Sequence, residues 1–362
     1  MSEQINYKNM RVESGYLDDR SDPKWGHPLL RDSWPPMSAG MNFYDESIPL
    51  DVRKAARDEQ MTAIAQMLGP VDIPWQSFTA PGCPEEPDTP VEVRVSIPEG
   101  DYDGLRPIVF GLVAGGMVFV SPSMFAFQYK GYQDALGAII VCPIFRGCLD
   151  APYPAAINDC HAAYAWTVEH AKELGGDPDN IVLQGGSTGG HLGLALPFRL
   201  KRYGFSPKAT VVRCPITDDR LTKRSSRVFF GTGEDGGSDW DGVSLHQYAS
   251  SWMGRDNMAS PVVSPEAFAN HATVEDCRGL CPVFLAEYED DPDRDYCIEF
   301  VQKLLEANVY VEFHLLGGQS HSSAAAAQMD PNVAILAGES EQITIKALKD
   351  AFTYDLRRPW TV

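Results

Sequence analysis

An apolar run, Ile181–Val182–Leu183, leads into Gly185–Gly186–Ser187–Thr188–Gly189, and a helix-forming stretch from Leu192 to Lys201 follows at once. No other stretch restricts the fold so tightly. A strand must end, the chain must turn where only glycine fits around the serine, and a helix must start with free amides beside the hydroxyl. Ser187 would stand at the tip of that turn, in strained backbone, at the positive end of a helix dipole. This is the arrangement of a nucleophile elbow. With 31 glycines in 362 residues the bare Gly-x-Ser-x-Gly pattern says little, so its strand–turn–helix setting carries the reading. A Gly-rich turn that binds a phosphate, or one that merely packs tightly, fits the same residues.

The pattern around the elbow repeats its rhythm. Val91, Val93, Val95 and Ile97 alternate with Glu92, Arg94 and Ser96, the signature of a half-buried strand. Apolar runs return at 108–113, 138–142, 181–183, 209–212, 283–286 and 309–316, with helical stretches at 155–174, 192–201 and 294–307 between several of them. Strands alternating with helices predict an α/β fold with a mostly parallel central sheet covered on both faces. Ligands in such sheets bind at the carboxyl ends of the strands, which makes the loops after them the place for chemistry.

Ahead of the sheet, residues 1 to about 45 form a polar, Pro-rich arm whose Trp25, Trp34, Phe43 and Tyr44 suggest that it packs on something. A helix is predicted over Leu50–Leu68, opened by Pro49 and capped by Ser47. Pro81, Pro84, Pro87 and Pro90 then lead into the sheet. From Thr217 to about Pro282 no strand is evident, and this stretch reads as an insertion folding over the ligand face, together with the N-terminal helix. Within it, Asp239, Asp241 and Gly242 fit an EF-hand spacing, but Gly237 and Tyr248 occupy its first and last ligand positions. A solvated acidic loop is the expectation there. The resulting division is an arm and cap helices at 1–85, a core with the elbow at 86–216, a second cap segment at 217–281 and the rest of the core at 282–362.

A net charge of −20 argues against nucleic acid and against adsorption to anionic membranes. No stretch approaches 18 apolar residues, and the first twenty lack an apolar signal core, so a cytoplasmic protein is expected. The eight cysteines read as reduced, with Cys142 and Cys214 as small buried hydrophobes. Cys277 and Cys281 lack a second pair, so neither zinc nor any other cofactor is expected.

A serine nucleophile needs a base, an orienting acid and oxyanion donors, in the chain order Ser, acid, His for a sheet of this type. The run 282–288 ends in Glu289–Asp290–Asp291–Pro292–Asp293–Arg294–Asp295. Asp291, fixed by the following Pro, is the expected acid; Asp290 is its closest rival, and Asp293 suits an N-cap for the next helix. The run 309–316 ends in Gly317–Gly318–Gln319–Ser320–His321, which places His321 in a loop at the same edge as the expected base. His314, inside the strand with Tyr310 and Glu312 on its face, reads as structural. His191, on the helix after the elbow, points away from the hydroxyl. Oxyanion amides are expected from Thr188 and from the Gly-rich loop Ala114–Gly115–Gly116–Met117.

Several ordered stretches extend the match. They are Phe145–Arg146, Tyr153–Pro154–Ala155–Ala156 with Asp159 and Trp166, Gly175–Gly176–Asp177–Pro178, Ser264–Pro265, and the acid segment Asp291–Pro292–Asp293–Arg294–Asp295. Together with the elbow they resemble the hormone-sensitive-lipase family of α/β-hydrolases, bacterial-type carboxylesterases with an N-terminal cap. The similarity runs from Leu50 to Ser322. It implies the α/β-hydrolase fold with a helical cap built from the N-terminus and an insertion, a triad of Ser187, Asp291 and His321, and oxyanion amides on Gly115, Gly116 and Thr188. It implies hydrolysis of a small or medium-sized ester through an acyl-enzyme, and a homodimer. Met117, Phe119, Phe229, Phe230 and Trp240, with the first cap helix, are the expected pocket residues.

Three positions depart from the family. Val113 stands where the loop-steadying histidine is usual, Gly186 replaces the Asp before the serine, and Thr188 replaces the Ala after it. The same apparatus could cleave lactones, aryl amides or formamides, and the fold also serves as a small-molecule receptor when the triad is incomplete.

Overall fold

Eight strands form one sheet, in the order β1-β2-β4-β3-β5-β6-β7-β8. The strands are β1 (Trp75–Ala80), β2 (Val91–Ser96), β3 (Arg106–Leu112), β4 (Ile139–Pro143), β5 (Gly176–Gly186), β6 (Ala209–Arg213), β7 (Val283–Asp290) and β8 (Val311–Ser320). The structure is a computed structural model that describes residues 43–69, 73–220, 222–228, 242–254, 262–321, 323 and 331–358. β1 pairs with β2 and β2 with β4 in antiparallel fashion, and every later pair is parallel. The mostly parallel sheet expected from the alternation is therefore present. β3 and β4 are buried along their whole length, as strands covered on both faces must be, whereas β1 and β8 are partly exposed edges.

The helices are α1 (Leu50–Leu68), α2 (Pro122–Leu136), α3 (Ala155–His170), α4 (Thr188–Arg202), α5 (Arg224–Val228), α6 (Gly242–Met253), α7 (Val274–Cys277), α8 (Arg294–Glu306) and α9 (Pro331–Thr353). α3 and α4 pack together on one side of the sheet with α8 beyond them, while α2 and α9 cover the other. Among the described residues of 217–281 there is no strand, only α5, α6, α7 and a 3₁₀ turn at Ala269–His271. All eight cysteines are buried and unpaired.

β1, α2, α9 and, within 217–281, α5, α6 and α7 go beyond the elements expected from the sequence. β1 is short, polar and half exposed, so it has no apolar run to signal it. α9 follows the last apolar run and was not read from the sequence. α2 is marked by its ends: Ser121 accepts from the Met124 amide, Pro122 opens the first turn, and Gly137 closes the helix in the left-handed region at φ 60°. At α1 the expected cap is corrected. Pro49 itself occupies the cap position, without a side-chain bond, and Ser47 instead donates its amide to Asp45 Oδ1 in the preceding turn.

The tightest packing lies where the elbow meets the sheet. A Cβ on Gly189 would fall 2.0 Å from the Leu112 carbonyl oxygen, and one on Gly185 would fall 2.4 Å from Gly189 itself. The first turn of α4 therefore rests on the ends of β3 and β5 with no room for a methyl group. Gly131, in α2, faces open space. Gly189→Ala should therefore lose about 3 kcal/mol or more of stability through overpacking against backbone. Gly131→Ala should gain about 0.5–1 kcal/mol from helix propensity. Denaturant melts of the two variants check both signs.

Candidate active site

Strand ends bring the site together. β5 stops at Gly186, and Ser187 follows at φ 52° and ψ −124°, a conformation a side-chain-bearing residue adopts only when its surroundings enforce it. Two backbone bonds do so: the Ser187 amide donates to the Arg213 carbonyl of β6 at 2.9 Å, and its carbonyl accepts from His191 in the first turn of α4 at 2.9 Å. Asp291 follows the last residue of β7 and is fully buried. His321 follows the last residue of β8.

These three residues, far apart in the chain, form one hydrogen-bonded line. Ser187 Oγ lies 2.8 Å from His321 Nε2, and His321 Nδ1 lies 2.5 Å from Asp291 Oδ2. The carboxylate can only accept, so Nδ1 carries the proton and Nε2 is left to accept from the serine. Asp291 Oδ1 accepts from the Asp293 amide at 2.8 Å, which holds the carboxylate in register. His321 was expected in a loop beyond Gly317 and Gly318. β8 instead continues through both glycines, with Gly318 at φ 66° donating its amide to Glu289 Oε2, and Ser320 pairs with Asp290 across a bulge.

Asp293 occupies the expected N-cap position of α8, but its side chain makes no cap bond; its Oδ2 accepts instead from the Thr217 amide and hydroxyl at 2.7 and 2.6 Å. The loop after β7 is thereby tied to the segment that follows β6. Burial pushes the Asp293 carboxyl well above its ordinary 3.8, against the pull of the Thr217 bonds. Burial and then the charge of Asp291 push Glu287 well above its ordinary 4.5. Asp291 thus sits beside two acids that resist ionisation.

The other histidines lie elsewhere. His191 is buried, with its ring held by the Ala267 carbonyl at Nε2 (2.5 Å) and the Tyr248 hydroxyl at Nδ1 (2.7 Å), and burial lowers its pKa to about 4. His314 bonds Glu312 at 2.8 Å on its own strand. Among the described residues, three sets of ligand-type atoms lie within 4.8 Å: Cys214–Asp291–His321, Asp218–Asp219–His271 and Cys83–Glu85–His161. Each has charge partners inside the protein, among them Arg220 on Asp218, His271 on Asp219, and Arg199 with Arg202 on Glu85.

β3 ends at Leu112, and the loop after it brings Gly115 (φ 149°) and Gly116 (φ 63°) beside the elbow. Its contact with the elbow is direct: the Met117 amide donates to Thr188 Oγ1 at 3.1 Å. Among the described residues the amides of Gly115, Gly116 and Thr188 donate to no protein group. Of the expected pocket residues, Met117 is 1% exposed, so its side chain packs in the core under the loop and not on an open wall. Phe119 is partly buried, edge-on to Phe43 at 5.3 Å. Phe229, Phe230 and Trp240 lie outside the described residues, as does the acidic loop 231–241. The residues that sequence reasoning missed are Gln128, Tyr44 and the hydroxyl of Thr188, all of which hold this loop. Thr188 and Val113 did carry a signal, as departures from the family pattern.

The profile of a family described as alpha/beta hydrolase fold matches residues 111–325, more than half of the chain. The chain belongs to this α/β-hydrolase family. It is 29% identical to carboxylesterase NlhH of Mycobacterium tuberculosis over 231 residues, 62% of this chain and 68% of that protein. It is 31% identical to the hormone-sensitive lipase of Bos taurus over 124 residues, 34% of this chain and 16% of the lipase. A solved structure of a bacterial heroin esterase superimposes with a TM-score of 0.76 at 26% identity, covering 93% of this chain and all of that one. The esterase LipW of Mycobacterium marinum, at 22% identity and a TM-score of 0.72, shares the fold over 91% of this hydrolase. No helix among the described residues is long and apolar enough to cross a membrane.

Two substitution pairs test the geometry of the site. Asp291→Asn should lower kcat by a factor on the order of 10⁴, through loss of the acceptor that holds the imidazole, and Asp290→Asn should stay within about threefold. Steady-state kinetics of both variants decide between the acids. A second consequence concerns pH. Above pH 4.5 the unfolded chain releases the Glu287 proton while the folded protein keeps it, so stability falls as pH rises toward the folded value. Glu287→Gln should therefore gain stability relative to the parent across this window, by up to about 1.4 kcal/mol per pH unit. Melts between pH 4 and 8 measure it; parallel curves would refute the assignment.

Proposed function

We propose that this protein is a serine carboxylesterase in which Ser187 is the nucleophile, His321 the base and Asp291 the orienting acid. The observation that carries the reading is the line Asp291–His321–Ser187, at 2.5 and 2.8 Å, ending on a serine at the tip of a strained turn. The relatives named carboxylesterase and esterase support the reaction class.

The chemistry follows from the atoms. His321 Nε2 takes the Ser187 proton as Oγ attacks the ester carbonyl, and Asp291 stabilises the imidazolium that forms. The oxyanion is bound by the amides of Gly115, Gly116 and Thr188 together with the dipole of α4. Collapse of the tetrahedral intermediate breaks the C–O bond, and the alcohol leaves with the proton held by His321. Water, deprotonated by the same imidazole, then releases the acid and restores the serine. The substrate is a small or medium-sized ester. Unpaired cysteines suit a reducing compartment, and we assign the enzyme to the cytoplasm. A homodimer is the assembly that the family resemblance suggests.

A fluorophosphonate probe should label Ser187 stoichiometrically in the folded protein, and Ser187→Ala should abolish both labelling and hydrolysis of a graded panel of p-nitrophenyl esters. Intact-mass and peptide analysis locate the adduct. Folded protein that takes no adduct on Ser187 would overturn the hydrolase reading.

A further inference from the structure

We infer that Tyr44, Gln128 and the hydroxyl of Thr188 are positioning residues of the oxyanion loop, clamping its successive peptide planes where no histidine is available. This deepens the carboxylesterase reading and rests on it.

A trans peptide points its N–H opposite to its C=O, so fixing one fixes the other. The argument can therefore be run plane by plane. Gln128 holds the loop's first residue with both ends of its amide: Oε1 accepts from the Ala114 N–H at 2.9 Å, and Nε2 donates to the Ala114 carbonyl at 3.1 Å. Fixing that carbonyl aims the Gly115 N–H the other way. The Gly115 carbonyl accepts from the Val118 and Phe119 amides, both at 3.0 Å, which aims the Gly116 N–H. The next plane is held from both ends. Tyr44 Oη donates to the Gly116 carbonyl at 2.6 Å, and the Met117 N–H donates to Thr188 Oγ1 at 3.1 Å. The Met117 carbonyl accepts in turn from Cys148 at 2.9 Å. The clamp leaves the Gly115 and Gly116 amides as the loop's two free donors and removes Met117 from candidacy.

One of these ties reaches outside the core and another reaches the elbow. Tyr44 belongs to the segment before α1, where Arg53 holds the Phe43 carbonyl at 3.0 Å, and its ring lies edge-on to Tyr248 of α6 at 6.0 Å. Thr188 is the first residue of α4, so its hydroxyl sets the distance from the loop to the nucleophile. Alanine at that position would leave the Met117 amide without its acceptor.

The test uses the full chain with Thr188→Val, Thr188→Ser and Tyr44→Phe. Thr188→Val should lower kcat for a p-nitrophenyl ester by about 10–100-fold with KM little changed. The affinity of a trifluoromethyl ketone, whose adduct places an oxyanion in the same site, should fall in parallel. Thr188→Ser should recover kcat to within about threefold of the parent. Hydrogen exchange across residues 113–118 should accelerate in Thr188→Val and Tyr44→Phe, a readout that stands whether or not the parent turns over ester. Unchanged exchange in both variants, or equal kcat for Thr188→Ser and Thr188→Val, would overturn the inference. A parent that turns over no ester while exchange accelerates would instead overturn the functional reading alone.

Discussion

The close seat of α4 on the ends of β3 and β5 is the constraint on which the site depends. Gly189 lies so near the Leu112 carbonyl that any side chain there would have to displace the backbone of β3. That contact, with the Ser187 amide held by β6, keeps Ser187 in a left-handed conformation that it would not adopt alone. The strain is therefore carried by the sheet. The serine stands at the start of α4 with its hydroxyl 2.8 Å from His321 Nε2.

The surroundings of Asp291 obey a second constraint, the difficulty of placing several negative charges in one dry place. Burial raises the pKa of both Glu287 and Asp293, and the charge of Asp291 pushes each of them further up. The protein meets this by binding Asp293 to Thr217 and by giving the nearby Asp291 two donors, one from His321 and one from the backbone. The Thr217 bonds also connect the loop after β7 to the segment after β6, so charge placement and chain attachment are one arrangement.

The contacts of α6 and of the segment before α1 show how the periphery reaches the centre. His191 turns away from the serine, and its two ring nitrogens hold Tyr248 and the Ala267 carbonyl, joining the elbow helix to α6 and to the segment after it. Tyr44 does the corresponding work from the N-terminal side. Both tyrosines end on elements beside Ser187, Tyr44 on the loop after β3 and Tyr248 on the helix that Ser187 opens.

Much of this was legible in the chain. Hydrophobic periodicity is local, and it announced the parallel strands, while the glycines around Ser187 marked the elbow and Pro49 marked the start of the helix over Leu50–Leu68. Ser187, Asp291 and His321 could be singled out because each directly follows a strand, and parallel strands all end at one rim. Short polar β1 gave periodicity too little to report, and α2 was marked chiefly by its capping residues. Tertiary structure alone decided the rest. Whether Asp290 or Asp291 faces the imidazole turns on a bulge between β7 and β8, and the replacement for the missing histidine is built from Tyr44, Gln128 and Thr188, with Tyr44 and Thr188 some 70 residues from the peptides they hold. Such bonds depend on which strands lie side by side, and strand order leaves no mark on the spacing of apolar residues along a chain.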